Sequence, residues 1–161
     1  MEVGRSIVLD ANILMRAVLG KKVRQIISEH AGHVAFYTPQ VAYDDVRRHL
    51  PTVFTKRGWT DDQLAMAFAV LDTLEPVVHA VEDKFYESKR SAALARIEKR
   101  DPDDWPILAT ALVLDCPVWT EDNDFFGTGV ATWTTDRVEI YLADDGPGAR
   151  TDRLIEVRSA T

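Results

Sequence analysis

Short β-branched runs alternate with helix-length amphipathic segments along this sequence, and no other feature restricts the fold as much. Residues 6–9 (Ser-Ile-Val-Leu) end at Asp10, and residues 11–19 then carry helical spacing up to Gly20. A helix over 22–30 follows, then a second strand over 34–37 and Pro39 at the head of another helix. Neighbouring parallel strands need long crossovers, usually helical, so this alternation predicts a three-layer α/β/α sandwich around a mainly parallel sheet.

The helix from Pro39 carries Ala42, Val46 and Leu50 four apart, and Pro51 is expected to end or kink it. Thr60 with Gln63 forms a capping box for a helix to about residue 74. A strand is predicted over 76–81, and then one charged helix over 82–100 with Phe85, Ala92, Leu94, Ala95 and Ile97 turned inward. Asp101-Pro102-Asp103-Asp104 opens an Ala- and Leu-rich helix to about residue 115, with Pro106 in its first turn. Strands are expected over 117–120, near 130–133 and over 138–142, with an edge strand over 154–157. Residues 1–142 are read as one domain, and 143–161 as its C-terminal extension or edge strand.

With 161 residues, 46% hydrophobic and 28% charged, the chain can bury a core without disulfides. Its lone Cys116 and the absence of zinc-ligand spacing suit a reducing, cytoplasmic setting. The apolar run before Asp10 is too short for a signal-peptide core or a membrane span, so neither export nor membrane insertion is expected. A net charge of −7 argues against wrapping nucleic acid by global charge and leaves room for a local basic face.

In parallel sheets, working residues gather at the carboxyl ends of the strands. There stand Asp10 after the first strand, Asp122 and Asp124 after the strand over 117–120, and Asp104 at the start of the helix that feeds it. The Asp44-Asp45 pair lies one to two turns into the helix after the second strand, and only one of the two can face a common centre. Singly, each has an ordinary explanation as a cap, a helix-dipole partner or a solvated charge. Together they repel one another, and a divalent cation is the natural compensation. An oxygen-only set suits Mg²⁺ or Mn²⁺, which lowers the pKa of a bound water for in-line attack on a phosphodiester.

Four motifs in order, Ile7-Val8-Leu9-Asp10-Ala11-Asn12, Thr38-Pro39 through Asp45-Val46-Arg47-Arg48-His49-Leu50, Asp101 through Ala111, and Trp119-Thr120-Glu121-Asp122-Asn123-Asp124-Phe125, together resemble the PIN domain. The resemblance implies a metal-dependent endoribonuclease, common among VapC-type toxins, with acidic ligands at Asp10, Asp45, Asp104 and Asp122 and an auxiliary acid at Asp124. Asn12 and Thr120 match positions that, in such domains, hydrogen-bond the carboxylates or the substrate phosphate. The second acid is usually Glu, and Asp45 is a methylene shorter. Expected partners are RNA, an antitoxin protein and a second copy of the chain, with no membrane.

Positive charge for RNA is sought at Lys21, Lys22, Arg24, Arg47, Arg48, Lys84, Lys89, Arg90, Arg96, Lys99 and Arg100, and stacking surfaces at Trp59 and Trp105. A haloacid-dehalogenase-like phosphatase would want a second Asp where Asn12 stands. Gly127-Thr128-Gly129 lacks the third glycine of a dinucleotide fingerprint, and the histidines form no Ser/His/Asp constellation. The alternative from another functional class is a PIN module that binds nucleic acid or protein without catalysis.

Overall fold

The computed structural model describes residues 4–143. β1 (Arg5–Leu9) is the central strand of a five-stranded sheet ordered β3-β2-β1-β4-β5. Its neighbours are β2 (Val34–Pro39) and β4 (Val118–Trp119), and β3 (Val78–Val81) and β5 (Thr132–Trp133) lie at the edges. Every pairing is parallel. Ile7, Val8 and Leu9 are all fully buried, as befits a strand covered on both faces.

The crossovers up to β4 are helical, as the alternation predicts, and β4 reaches β5 through a loop with one 3₁₀ turn. α1 (Ala11–Leu19), α2 (Lys22–His30), α3 (Gln40–Arg57) and α4 (Asp61–Leu74) form one packed group. α5 (Asp83–Tyr86) and α6 (Arg90–Ile97) pack with α7 (Trp105–Leu114), whose residues 107–111 are all buried. The result is a three-layer α/β/α fold. Strand order runs outward in opposite directions from β1 and β4, so the crevice where ligands bind in such sheets opens between their carboxyl ends.

Four local expectations differ from the structure. α3 does not end at Pro51 but continues to Arg57. Pro51 lies on the exposed face, where water can replace the missing hydrogen bond, while Leu50 and Phe54 go on filling the inner face. The helix stops at Gly58, whose φ of +68° is the left-handed region that favours glycine. The segment 82–100 is not one helix. A 3₁₀ turn at Glu87–Lys89 divides it into α5 and α6, and no side chain between Tyr86 and Ala93 is buried to hold a continuous α geometry.

Its inward phase is also one residue off. Tyr86 and Ala93 are buried while Phe85, Ala92 and Ala95 are exposed; Ile97 is buried and Leu94 partly so, as expected. Finally, Val138–Leu142 is a helix, α8, and not a strand. Val138 and Leu142, four apart, are its buried positions, a helical and not an alternating pattern. The proposed extension at 144–161, with its edge strand at 154–157, lies outside the described residues. Among the described residues no helix is long and apolar enough to cross a membrane.

Candidate active site

Asp10 stands where β1 becomes α1, and its side chain works in two directions. Its Oδ1 accepts the Ile13 backbone N–H at 2.9 Å and caps the helix, and its Oδ2 accepts the hydroxyl hydrogen of Thr120. Thr120, fully buried after β4, in turn accepts the Asp122 backbone N–H at 2.9 Å. Asp122 Oδ1 then accepts the Asp124 backbone N–H at 2.9 Å, folding residues 123–125 into a 3₁₀ turn. One chain of hydrogen bonds therefore ties the ends of β1 and β4 together and sets Asp122 and Asp124 beside Asp10.

Asp104 arrives from the other side of the crevice. It sits at the N-terminus of α7 but makes no capping hydrogen bond through its side chain. Its carboxylate is thus free of the local role that its position in sequence allows. Asp101 Oδ1 accepts the Asp103 backbone N–H at 3.1 Å and starts the 3₁₀ turn Pro102–Asp104. Across this turn Asp101 and Asp104 stand three apart, a spacing at which 3₁₀ side chains eclipse. Carboxylate oxygens of Asp101, Asp104 and Asp124 all lie within 4.8 Å of one another.

The charges register this crowding. Burial, followed by the negative charges of Asp101, Asp122, Asp10 and Asp124, pushes the Asp104 carboxyl up to about 7. Burial is also the main cause that raises Asp10, with Asp122 adding to it and the bonds from Thr120 and Ile13 working against it. Of the sequence-derived site residues, the structure brings Asp10, Asp104, Asp122, Asp124 and Thr120 together. Asn12 is exposed in the first turn of α1. Asp45 is half-buried and ion-paired to Arg48, whereas Asp44 lines an outer groove with Gln40, Tyr86 and Asp103. Asp101 escaped the sequence reading, although its spacing of three from Asp104 was a usable signal.

A family model of the PIN domain matches residues 8–143. The chain belongs to the PIN domain family. PIN domains are generally nucleases. Among solved structures this PIN domain is similar to PAE2754 from Pyrobaculum aerophilum, with a TM-score of 0.64 and 16% identity over 87% of this chain and 90% of that one. It is also similar to VapBC2 from Rickettsia felis, solved bound to a DNA fragment from their promoter. That likeness has a TM-score of 0.60 and 9% identity over 80% of this chain and 98% of the other. At such identities the likeness shows the fold. No curated protein matches the sequence.

Several cations near this PIN domain's acidic cluster are occupied in building it. Arg100 donates to the carbonyl oxygens of Asn123 at 2.9 Å and Asp124 at 3.4 Å, and Arg96 to that of Thr128 at 2.8 Å. Both hold the loop that carries Asp122 and Asp124. Gly129 lies against this clamp with φ of +85°, and a Cβ there would come within 2.7 Å of Arg96 Nη1. Trp105 is covered by the Arg90 guanidinium and packs against Tyr86. Trp59 packs against Phe54 under Arg57.

Proposed function

We propose that this PIN domain is a metal-dependent endoribonuclease and acts in the cytoplasm as the toxin of a toxin–antitoxin pair. The single observation that carries the catalytic part is Asp104, a carboxylate at a helix N-terminus that caps nothing and faces four other carboxylates. Such a set is destabilising until a cation occupies it, and an all-oxygen donor set with no His or Cys fits Mg²⁺ or Mn²⁺. Asp10, Asp104 and Asp122 are assigned as the principal holders, with Asp124 and Asp101 completing the set. When bound, the ion supplies Lewis acidity, lowering the pKa of an attacking water and screening the phosphate.

The chain's own side chains do the rest. Thr120 orients Asp10 through its hydroxyl and holds Asp122 through that residue's backbone N–H. Asn12, exposed in the first turn of α1, is assigned the role of donating to a substrate phosphate oxygen. Supporting the toxin reading is the similarity to a VapBC protein; the partner it implies is an antitoxin. Purified protein is expected to cleave single-stranded RNA with Mg²⁺ or Mn²⁺ and to stop when chelator is added. Metal-independent cleavage, or none in any divalent ion, would contradict the reading; binding without cleavage would favour a non-catalytic PIN module.

Asp45 is proposed as a further acid of the site, reached once its side chain leaves Arg48. Asp44 points about 100° away on the same helix and faces the outer groove. Asp45→Ala is therefore expected to lower turnover at least about tenfold, and Asp44→Ala to leave it within about twofold. Steady-state cleavage rates of the two variants decide this: the reverse ranking would move the role to Asp44.

A further inference from the structure

On either side of the crevice the surface charge has opposite sign. Toward α5 lies a groove of about 800 Å³ lined by Asp44, Glu82, Asp83, Glu87 and Asp103. Among the described residues Arg90 is its one cation, and it is engaged by Glu87 at 3.3 Å and by the Trp105 ring. A phosphate strand laid there would meet five carboxylates. Toward the far end of α1 the balance reverses. One groove of about 340 Å³ is lined by Arg16, Lys21, Lys22 and Arg57. A second, of about 450 Å³, shares Arg16, Lys22 and Thr135 with it, carries Asp136 as well, and reaches Glu121, the chain neighbour of Asp122. These cations are exposed; the 4.0 Å pair of Arg16 with Glu121 is loose, and Arg57 lies over the Trp59 ring.

The remaining cations singled out from the sequence are mostly engaged. Arg47 pairs with Glu75 and Asp72, Arg48 with Asp45, and Lys84 with Glu82. Arg24 donates to the Ala17 carbonyl, and Arg96 and Arg100 hold the Asp122–Asp124 loop. Along α1, which starts directly after Asp10, Asn12 and Arg16 are both exposed and four residues apart, so they stand one above the other on a single face. At 1.5 Å per residue, the last residue of α1, Leu19, is about 13 Å from Asp10 along the helix, and Lys21 and Lys22 follow beyond it. That length spans roughly four stacked nucleotides at 3.4 Å each.

We propose that single-stranded RNA leaves the acidic cluster on one side only, its phosphates running over Asn12 and Arg16 to Lys21, Lys22 and Arg57. The proposal rests on the ribonuclease reading and adds the path of the substrate. It removes the α5–α6 cations from the substrate surface and makes the acidic groove a barrier that keeps phosphates on the α1 side.

Binding is measured by fluorescence anisotropy of a short labelled oligouridylate on the double variant Asp104→Asn with Asp122→Asn, so that no cleavage intervenes. On that background, Arg16→Gln, Lys21→Gln, Lys22→Gln and Arg57→Gln together are expected to weaken binding at least about tenfold at low salt. The slope of log K against log salt should fall by about 3, from four phosphate contacts at about 0.7 each. Lys21→Gln with Lys22→Gln alone, two exposed changes that threaten no packing, should move both quantities in the same direction. An equal loss of charge on the other side, Lys84→Gln, Lys89→Gln, Arg90→Gln and Lys99→Gln, should change affinity less than about twofold. If this second set costs as much as the first, or the background protein binds no RNA, the path is wrong. Cleavage by the wild type is a separate readout: loss of binding in the first set with no cleavage by the wild type would overturn the ribonuclease reading and leave the path standing.

Discussion

Asp104→Asn and Asp122→Asn are each expected to lower metal-dependent RNA cleavage on the order of a hundredfold, the scale of removing one preorganised charge-stabilising group. Neither should unfold the protein. Asp104 makes no capping bond, and Asn in its place relieves the repulsion from Asp101, Asp122, Asp10 and Asp124. The same residue gives the metal-free protein a characteristic pH dependence. Folding raises the Asp104 carboxyl from 3.8 to about 7, so the folded state binds its proton more tightly than the unfolded chain does. The stability associated with that proton is fully present below about pH 4 and is lost as pH rises through about 7. Melting temperatures in chelator should therefore fall across this window more steeply for wild type than for Asp104→Asn. Parallel curves, or full activity in both variants, would remove Asp104 from the site.

The second large effect is stabilisation by the ion. The carboxylates come from the end of β1, the turn before α7 and the loop after β4, so they converge only in the folded chain. A ligand that binds only the native state at about a hundred times its Kd adds roughly 2.7 kcal/mol. For a domain of this size that corresponds to a rise in Tm of roughly 5–10 °C. Mg²⁺ or Mn²⁺ should produce such a rise in wild type and scarcely any in Asp10→Asn with Asp122→Asn. Asn at position 10 can still cap α1, so the comparison isolates the charge from the cap. An equal rise in both proteins would mean that the acids are caps and surface charges.

Where local chemistry determines structure, the sequence was readable. Ile7-Val8-Leu9 followed by Asp10 could only be a buried strand running into a capped helix, and both bonds of the Thr60–Gln63 capping box are formed. Pro106 sits in the first turn of α7 as its missing N–H requires. Legibility failed where a distant partner decides. α3 passes through Pro51 because Phe54 has a core to fill, and residues 138–142 coil because Val138 and Leu142 face the same buried site. The acids at the strand ends were legible as a set because topology alone gathers them. Asp101 was missed because its place depends on a 3₁₀ turn, and Arg96 and Arg100 were read as substrate contacts because their carbonyl partners lie 23 to 32 residues away.

Cleavage by water that is activated at the acidic cluster needs no ribose 2′-hydroxyl and passes through no cyclic phosphate. Attack by water on phosphorus breaks one ester bond and leaves a linear phosphomonoester on one product and a hydroxyl on the other, with one phosphate oxygen drawn from solvent. Mass spectrometry of the products of a defined RNA, cleaved with Mn²⁺ in ¹⁸O-labelled water, tests this directly. The account predicts a linear terminal phosphate carrying one ¹⁸O, formed also when the ribose at the scissile bond is 2′-deoxy, and absent from the reaction with Asp104→Asn. A 2′,3′-cyclic phosphate, formed by the neighbouring ribose hydroxyl and persisting in that variant, would contradict it.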